Sequence, residues 1–247
     1  MSRAHARMNQ AGAQMRPLRR DSAGAHVMKL DRHLTVAELS TLAQQMAAED
    51  PELEYAEPDR LMQPLFTPND SYYLNQWHYH EATGGLNAPS AWDQSTGSGV
   101  TVAVLDTGYR PHVDLAANIV GGYDMIGDTF VANDGNGRDS DARDPGDWTV
   151  ANECGAGSQA SNSSWHGTHV AGTIAAVTNN ASGVAGVAYG AKIVPVRVLG
   201  KCGGYTSDIA DGITWASGGT VSGVPANANP AKVLNLSLGG GGACDTT

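Results

Sequence analysis

Apolar runs of strand length alternate with predicted helices through the second part of the chain. Val100–Leu105, Lys192–Leu199 and Lys232–Ser237 are nearly continuous apolar segments, whereas residues 166–177 and Ser207–Ala216 are predicted as helices. Strands that are apolar on both faces and alternate with helices are typical of a parallel sheet that is covered on both sides. The pattern therefore predicts an α/β fold with a parallel sheet and helices on both faces.

Before residue 66 the pattern is that of a smaller unit. His26–Leu30 alternates like a strand, and Thr35 followed by Glu38 is a capping box that opens a helix. The apolar residues at helical spacing behind this cap are Leu39, Leu42, Ala43 and Met46. We expect Glu54–Met62 to form one or two short strands, and residues 1–22 to be polar, basic and weakly helical. This order predicts a small α/β unit.

Two further segments interrupt the alternation after residue 100. Ile119–Asp124 is predicted as a second short strand, and residues 127–165 as a long loop rich in Gly, Asp and Ser. The aspartates crowded into this loop are Asp134, Asp139, Asp141, Asp144 and Asp147. Such a cluster is either a solvated surface or a set of oxygen ligands for Ca²⁺.

The charge distribution separates the two parts of the chain. The net charge is −10; residues 1–66 hold 8 Lys and Arg against 9 Asp and Glu, whereas the rest hold 7 against 16. The chain therefore lacks the basic footprint of a nucleic-acid-binding protein. It also lacks a run of about 18 apolar residues, so no membrane span is predicted.

Two motifs within this framework carry acid–base chemistry. Val100–Leu105 ends in Asp106, at the sheet edge where functional residues gather in open α/β folds. A buried carboxylate needs a partner, which an imidazole supplies; the alternative is an Asp that only caps the following turn. His166 opens a helix of small residues that can approach the sheet, and it would serve as a general base. His169 is read as structural, because zinc-binding pairs are spaced i, i+4 with a Glu.

Three segments together resemble a known family: Val102–Gly108, His166–Thr173 and Val233–Gly240. They resemble the subtilisin-like serine peptidases (subtilases), in particular the secreted bacterial branch. The resemblance implies a subtilisin-like parallel sheet, incomplete in this chain, and a triad in the order Asp, His, Ser in which Asp106 orients His166. No Gly-Thr-Ser segment occurs in the 247 residues. We therefore expect the nucleophile and the oxyanion-hole Asn to lie beyond Thr247.

The same resemblance implies the organisation of a precursor. Residues 1–66 resemble the remnant of a pro-domain, which acts in the family as a folding chaperone and inhibitor, and end in a linker. Residues 67–247 correspond to the N-terminal part of the catalytic domain. The first 25 residues lack the apolar core of a signal peptide. Secretion is expected from the family branch, with the signal lying upstream.

Two glycine-containing segments resemble the substrate-binding walls of the family. Ser237, Leu238 and Gly239 follow an apolar strand and would pair with an extended peptide and wall its S1 pocket. Gly203 and Gly204 would form the opposite wall. The alternative for both segments is an ordinary turn and core. The expected partners are protein or peptide substrates and the chain's own pro-segment, and the sequence does not define a side-chain preference.

The loop from Val177 to Val184 resembles the high-affinity calcium site of subtilases. The ligands that the resemblance implies are the backbone oxygens of Val177, Ser182 and Val184 and the side chains of Asn180, Asp114 and Asp70. Calcium is thus the expected structural cofactor. The five aspartates of the 127–165 loop are a second, separate calcium candidate.

Three cysteines are an odd number for a chain of secreted type. Because the family resemblance puts Cys154 and Cys202 beside the active-site cleft, we expect a disulfide between them. Cys244 would then pair with a cysteine beyond Thr247. Three unpaired thiols are the alternative.

Two other functions compete with a serine endopeptidase. A chain without a nucleophile would be an inactive fragment, either an inhibitor or decoy or the product of a truncated gene model. An aspartic protease would use Asp106-Thr107-Gly108. That class needs a second such motif or a homodimer, and it leaves His166 without a role.

Overall fold

The computed structural model describes residues 12–60 and 66–241. The chain divides into two compact units, Met1–Pro64 and Leu65–Thr247. Each unit has its own hydrophobic core, so each is described separately.

The N-terminal unit is a hairpin and one helix. Strand β1 (Met15–Arg20) pairs antiparallel with β2 (His26–Leu30), and helix α1 spans Val36–Glu49. The predicted capping box is confirmed: the Thr35 hydroxyl accepts from the Glu38 N–H, and the Glu38 carboxylate accepts from the Thr35 N–H. The core of this unit is formed by Ala13, Leu42 and Met46 with Met15, Leu30, Leu34 and Leu53 around them.

Two predictions for this unit were wrong. Residues 15–20 form a strand rather than a weak helix, because they pair with β2, and such pairing is invisible to local composition. Residues 54–60 form no strand, and residues 61 and 62 of the predicted segment lie outside the described residues.

The C-terminal unit contains a four-stranded parallel sheet. Its strands are β3 (Thr101–Asp106), β4 (Tyr123–Asp124), β5 (Lys192–Arg197) and β6 (Val233–Asn235), in the spatial order β4-β5-β3-β6. The helices of this unit are α2 (Ala88–Trp92), α3 (Thr129–Ala132), α4 (His166–Ala175) and α5 (Thr206–Ala216). Short 3₁₀ turns span Tyr73–Asn75, Trp77–Tyr79 and Ala116–Asn118.

The two faces of the sheet are covered by different helices. Val102 and Val104 of β3 pack in one cluster with Ala171 and Ala175 of α4. The intervening residues Ala103 and Leu105 pack in another cluster, with Trp215 and Ala216 of α5. This alternation follows from the two-residue period of a strand. The predicted α/β fold, with helices on both faces of a parallel sheet, is confirmed.

Strand lengths differ from the predicted ones near the edges of the sheet. Ile119–Asp124 is reduced to the two residues of β4 and a single bridge between Ile119 and Ile193. Lys232–Ser237 is reduced to the three residues of β6. The 127–165 loop is irregular apart from α3 and isolated bridges. None of the helices in the described ranges is long and apolar enough to cross a bilayer.

Candidate active site

The end of β3 carries a fully buried carboxylate. Asp106 is 0% exposed and lies opposite Arg197 in the register of β3 with β5. Its Oδ1 accepts a hydrogen bond from the Thr107 N–H at 2.7 Å. Burying a carboxylate is costly unless it is hydrogen-bonded or paired, so a further partner of Asp106 is expected.

That further partner is the first residue of α4. His166 Nδ1 lies 2.8 Å from Asp106 Oδ1 and 2.9 Å from Oδ2. The imidazole is 46% exposed, whereas the carboxylate has no solvent contact. The pair therefore joins a buried anion to a ring that is accessible from outside.

Small residues allow α4 to approach the strand this closely. A Cβ on Gly167 would lie 2.2 Å from the Gly108 carbonyl oxygen, and the buried face continues with Ala171 and Ala175. The residue before the helix, Trp165, has a left-handed backbone with φ of 53°. These features hold His166 beside Asp106.

The hydroxyl of Thr107 connects this pair to the 127–165 loop. It donates to Asp144 Oδ2 at 2.8 Å and accepts from the Gly167 N–H at 3.0 Å. Asp144 is 1% exposed, and its Oδ1 accepts from the Gly146 N–H at 2.7 Å. Burial raises the pKa of Asp144 above its ordinary value, against the opposing hydrogen bonds from Thr107 and Gly146.

A buried ion-pair cluster lies at the end of β5. Arg197, 1% exposed, bonds to Asp124, to Asp134 at 3.1 Å and to the Ala132 carbonyl oxygen. Burial raises the pKa of Asp124 to about 7, although the Arg197 guanidinium opposes this shift. The sequence analysis did not single out Arg197 or Asp124. The available signal was an arginine inside an otherwise apolar strand.

The structure does not bring the five loop aspartates together as one metal site. Asp134 and Asp144 have the partners just described, and the others bond to separate groups: Asp139 to Asn136, Asp141 to Arg143, and Asp147 to Ser164. Among the described residues, no group of three or more His, Cys, Asp or Glu side chains is arranged to hold a metal ion. Because each carboxylate already has a protein partner, nothing in this arrangement supports the second calcium candidate.

Two of the residues expected to hold the first calcium, Asp70 and Asp114, are buried carboxylates that contact the Val177–Val184 loop. Asp114, 3% exposed, accepts from Asn180 Nδ2 at 2.8 Å and from the Val184 N–H at 2.9 Å. Its own carbonyl oxygen accepts from the Val177 N–H, and the Ser182 N–H donates to Asn180 Oδ1. The loop is therefore wrapped around the Asp114 carboxylate.

Asp70 reaches the same loop from the start of the C-terminal unit. It is 5% exposed, and its Oδ2 accepts from the Asn179 N–H at 2.7 Å. Its Oδ1 is buried and has no hydrogen-bond partner among the residues that the structure describes. A buried carboxylate oxygen without a donor is the arrangement that a bound cation satisfies.

The two expected substrate walls lie on different segments. Gly203 and Gly204 line a surface pocket together with Cys154, Cys202 and Tyr205. Ser237, Leu238 and Gly239 follow β6, the strand that pairs with β3, but residues 236–240 are not in a strand. Leu238 packs against the core beneath the sheet, and Ser237 accepts from Asn235 Nδ2.

A disulfide joins the long loop to the first of these walls. Cys154 and Cys202 are bonded, with their Cα atoms 5.4 Å apart. Beside the bond, Lys201 pairs with Glu153 at 2.8 Å, and its Nζ lies 4.0 Å from the ring centroid of Trp148. Cys244 lies outside the described residues.

The fold and this pair of side chains define a class: α/β proteins that present an Asp–His pair at the carboxyl edge of a parallel sheet. Comparison with known proteins is more specific. Residues 97–247 match the model of Peptidase_S8, the subtilase family. The chain belongs to the subtilase family.

Two relatives are similar over nearly the whole chain. An extracellular protease of Xanthomonas campestris pv. campestris is 61% identical over 93% of this chain, and an extracellular basic protease of Dichelobacter nodosus is 49% identical over 96%. The chain spans 40% of each of these two relatives. A solved structure of a protease from Pseudoalteromonas arctica is 73% identical, with a TM-score of 0.72, over 73% of this chain and 53% of the other.

Proposed function

We propose that this chain is part of a secreted serine endopeptidase that uses an Asp-His-Ser triad. The observation that carries the proposal is the Asp106–His166 pair, in which a fully buried carboxylate bonds a half-exposed imidazole at 2.8 Å. The names of the relatives, both extracellular proteases, support peptide hydrolysis and secretion.

In the proposed mechanism each member of the pair has one task. Asp106 accepts from Nδ1–H, which holds the ring in one tautomer and stabilises the imidazolium. The other nitrogen of His166 takes the proton of the nucleophilic serine, and later gives it to the leaving amine. The serine attacks the scissile carbonyl carbon to form an acyl-enzyme, which water then hydrolyses. We propose that this serine lies in a segment that follows Thr247.

An aspartic protease mechanism is disfavoured by the same geometry. Both carboxylate oxygens of Asp106 lie within hydrogen-bond distance of His166. In the aspartic proteases two carboxylates share a proton instead. The pairing observed here corresponds to a carboxylate that orients a base.

The triad proposal is tested first on the coding DNA and then on its complete product. We expect a Gly-Thr-Ser segment downstream of the codon for Thr247. We expect the product to hydrolyse casein, and a serine-directed phosphonyl fluoride, but not pepstatin, to inhibit it. His166→Ala should lower kcat by about 10⁴-fold or more. An immediate stop codon, or activity that His166→Ala leaves intact, would contradict the proposal.

We propose further that residues 1–66 are the pro-segment and that Gly203–Gly204 and Ser237–Gly239 bind the substrate backbone. The alignments with both extracellular proteases include most of the N-terminal unit, which supports an arrangement shared with these relatives. N-terminal sequencing of the secreted protein tests the first part, with cleavage expected near Thr67. A mature protein that retains residues 1–66 would contradict it.

We also propose that the first calcium set is a structural calcium site. Two buried carboxylates, Asp70 and Asp114, both accept hydrogen bonds from the Val177–Val184 loop, and the structure describes no cationic side chain paired with either. The orphaned Oδ1 of Asp70 supports the fit. When bound, Ca²⁺ would neutralise these carboxylates and tie the start of the C-terminal unit to the loop.

A further inference from the structure

We propose that Asp144 is a positioning residue for the Asp106–His166 pair, and that it acts through the hydroxyl of Thr107. The kinetic part of this proposal rests on the proposed peptidase function, whereas its structural part does not. Asp144 was singled out in the sequence as a calcium candidate, and its observed contacts indicate a different task.

The Asp144 side chain is buried next to the Asp106–His166 pair and is not part of the surface. Its side chain is almost fully buried, and both oxygens are used: Oδ2 by the Thr107 hydroxyl at 2.8 Å, and Oδ1 by the Gly146 N–H at 2.7 Å. Its backbone N–H also donates to the Tyr109 carbonyl oxygen at 2.9 Å, so the chain around it is fastened to the segment that follows Asp106. A carboxylate held at both oxygens is a rigid acceptor.

The Thr107 hydroxyl has a single proton, and Asp144 determines where it points. An ionised carboxylate only accepts hydrogen bonds, so the hydroxyl must donate to it. Its lone pairs are then free for the Gly167 N–H, 3.0 Å away. Without Asp144 the hydroxyl is free to rotate and to donate elsewhere.

Thr107 contacts Asp106 and also the residue that follows His166. Its N–H donates to Asp106 Oδ1 at 2.7 Å, and its hydroxyl holds the N–H of the residue that follows His166. The first turn of α4 is thus fastened to the carboxylate by one residue. A disturbance of this residue moves the imidazole relative to Asp106.

Other charged groups also surround Asp144. Arg197 and Asp147 act on it electrostatically, and the Arg110 guanidinium donates to its backbone carbonyl oxygen at 3.4 Å. Loss of the Asp144 charge would therefore change the local field as well as the hydroxyl orientation. A test must separate these two effects.

Thr107→Val separates them, because it removes the hydroxyl at nearly constant shape and charge. The readout is the pKa of the His166 imidazole and the chemical shift of its Nδ1–H, both measured by NMR on the purified protein. We expect Thr107→Val and Asp144→Asn each to lower this pKa, since a loosened Asp106 stabilises the imidazolium less. The double variant should add little to Asp144→Asn, because the part of both effects that passes through the hydroxyl is the same.

Two further variants complete the design. Thr107→Ser keeps the hydroxyl and should give the same His166 pKa and Nδ1–H chemical shift as the parent protein. Asp141→Asn is the matched control. It removes a carboxylate from the same loop, and the side-chain partner of that carboxylate is Arg143. The proposal would be overturned if Thr107→Val lowers the melting temperature but leaves the His166 pKa and the Nδ1–H chemical shift unchanged. Asp144 would then have a purely structural role.

Kinetics on the complete gene product give a second readout. Thr107→Val and Asp144→Asn should lower kcat about tenfold or more with KM nearly unchanged, because the pair is displaced while the substrate walls are not. A rise in KM at constant kcat would contradict the positioning role. If the protein proves not to be a peptidase, the NMR measurements still decide whether Asp144 positions the pair.

Discussion

At the scale of single residues, the Asp106–His166 distance depends on a glycine in the helix. Gly167 faces the Gly108 carbonyl oxygen so closely that a Cβ would lie 2.2 Å from it. Real Cβ atoms do not approach backbone oxygens to that distance, so any larger residue must push α4 away from β3. The glycine thus permits the observed Asp106–His166 geometry through its lack of a side chain.

This feature predicts opposite effects of alanine at two positions of one helix. Gly167→Ala should lower the free energy of unfolding by about 1–3 kcal/mol through overpacking. Gly172→Ala, where nothing lies within 4 Å of the added Cβ, should raise it by up to about 1 kcal/mol through helix propensity. Urea unfolding of both variants measures the two values. Equal effects at the two sites would show that the close approach of α4 is unimportant.

At the scale of elements, the 127–165 loop is held by side chains rather than by regular structure. The Cys154–Cys202 bond and the Lys201–Glu153 ion pair both fasten it to the segment that follows β5. A long irregular segment gains little from backbone pairing, so such cross-links restrict it most. The loop contributes Asp144 to the site, and its order therefore affects the pair.

Removal of the disulfide should accordingly destabilise the protein. The bond closes a segment of 48 residues, and Cys154→Ser with Cys202→Ser should lower the free energy of unfolding by about 2–4 kcal/mol. Both proteins in this comparison should carry Cys244→Ser, so that the third cysteine cannot exchange with the other two. The Cys244→Ser single variant is then the control. Chemical denaturation under non-reducing conditions measures the loss. If the two free energies of unfolding differ by less than about 0.5 kcal/mol, the disulfide does not stabilise the protein measurably.

Helix α1 offers a second test at this scale. Thr35→Ala removes the hydroxyl that accepts from the Glu38 N–H, and it should cost the N-terminal unit about 1 kcal/mol. Thr41→Ala is the control, because the Thr41 hydroxyl bonds only a carbonyl oxygen within the helix. Hydrogen exchange at the first turn of α1 measures the effect. Faster exchange in both variants alike would argue against the cap.

At the scale of the whole molecule, the C-terminal unit buries several carboxylates and relies on few cationic side chains. Arg197 neutralises Asp124, but the donors that the described residues offer to Asp70 and Asp114 are backbone and amide groups. Buried charge without a counter-charge is costly. A bound cation at the Val177–Val184 loop would offset this cost.

Calcium removal should therefore lower the melting temperature. At a calcium concentration a hundredfold above Kd, binding stabilises by about 2.7 kcal/mol, or roughly 5–10 °C for a unit of this size. EDTA should cause this shift in the parent protein but not in Asp70→Asn or Asp114→Asn. Asp93→Asn, which changes an exposed carboxylate, should keep the full shift. A melt of the parent protein that EDTA leaves unchanged would rule out the calcium site.

Local sequence patterns were sufficient to predict the class of fold, the family and the elements that carry the pair. Local patterns predict the apolar run of β3, the small residues of α4 and the cap of α1. They do so because strands and helices impose characteristic spacings on neighbouring residues. The position of His166 at the very start of α4 was likewise predicted. These features depend on residues that are close in the chain.

The contacts between polar groups from distant segments could be seen only in the folded chain. β1 exists because β2 pairs with it, and Asp144 bonds Thr107 because the long loop returns to the segment that follows β3. Arg197 is buried because three acceptors surround it from segments far apart in the chain. A local pattern records how apolar a segment is, but the partner of a buried polar group comes from distant residues and appears only when the chain is folded.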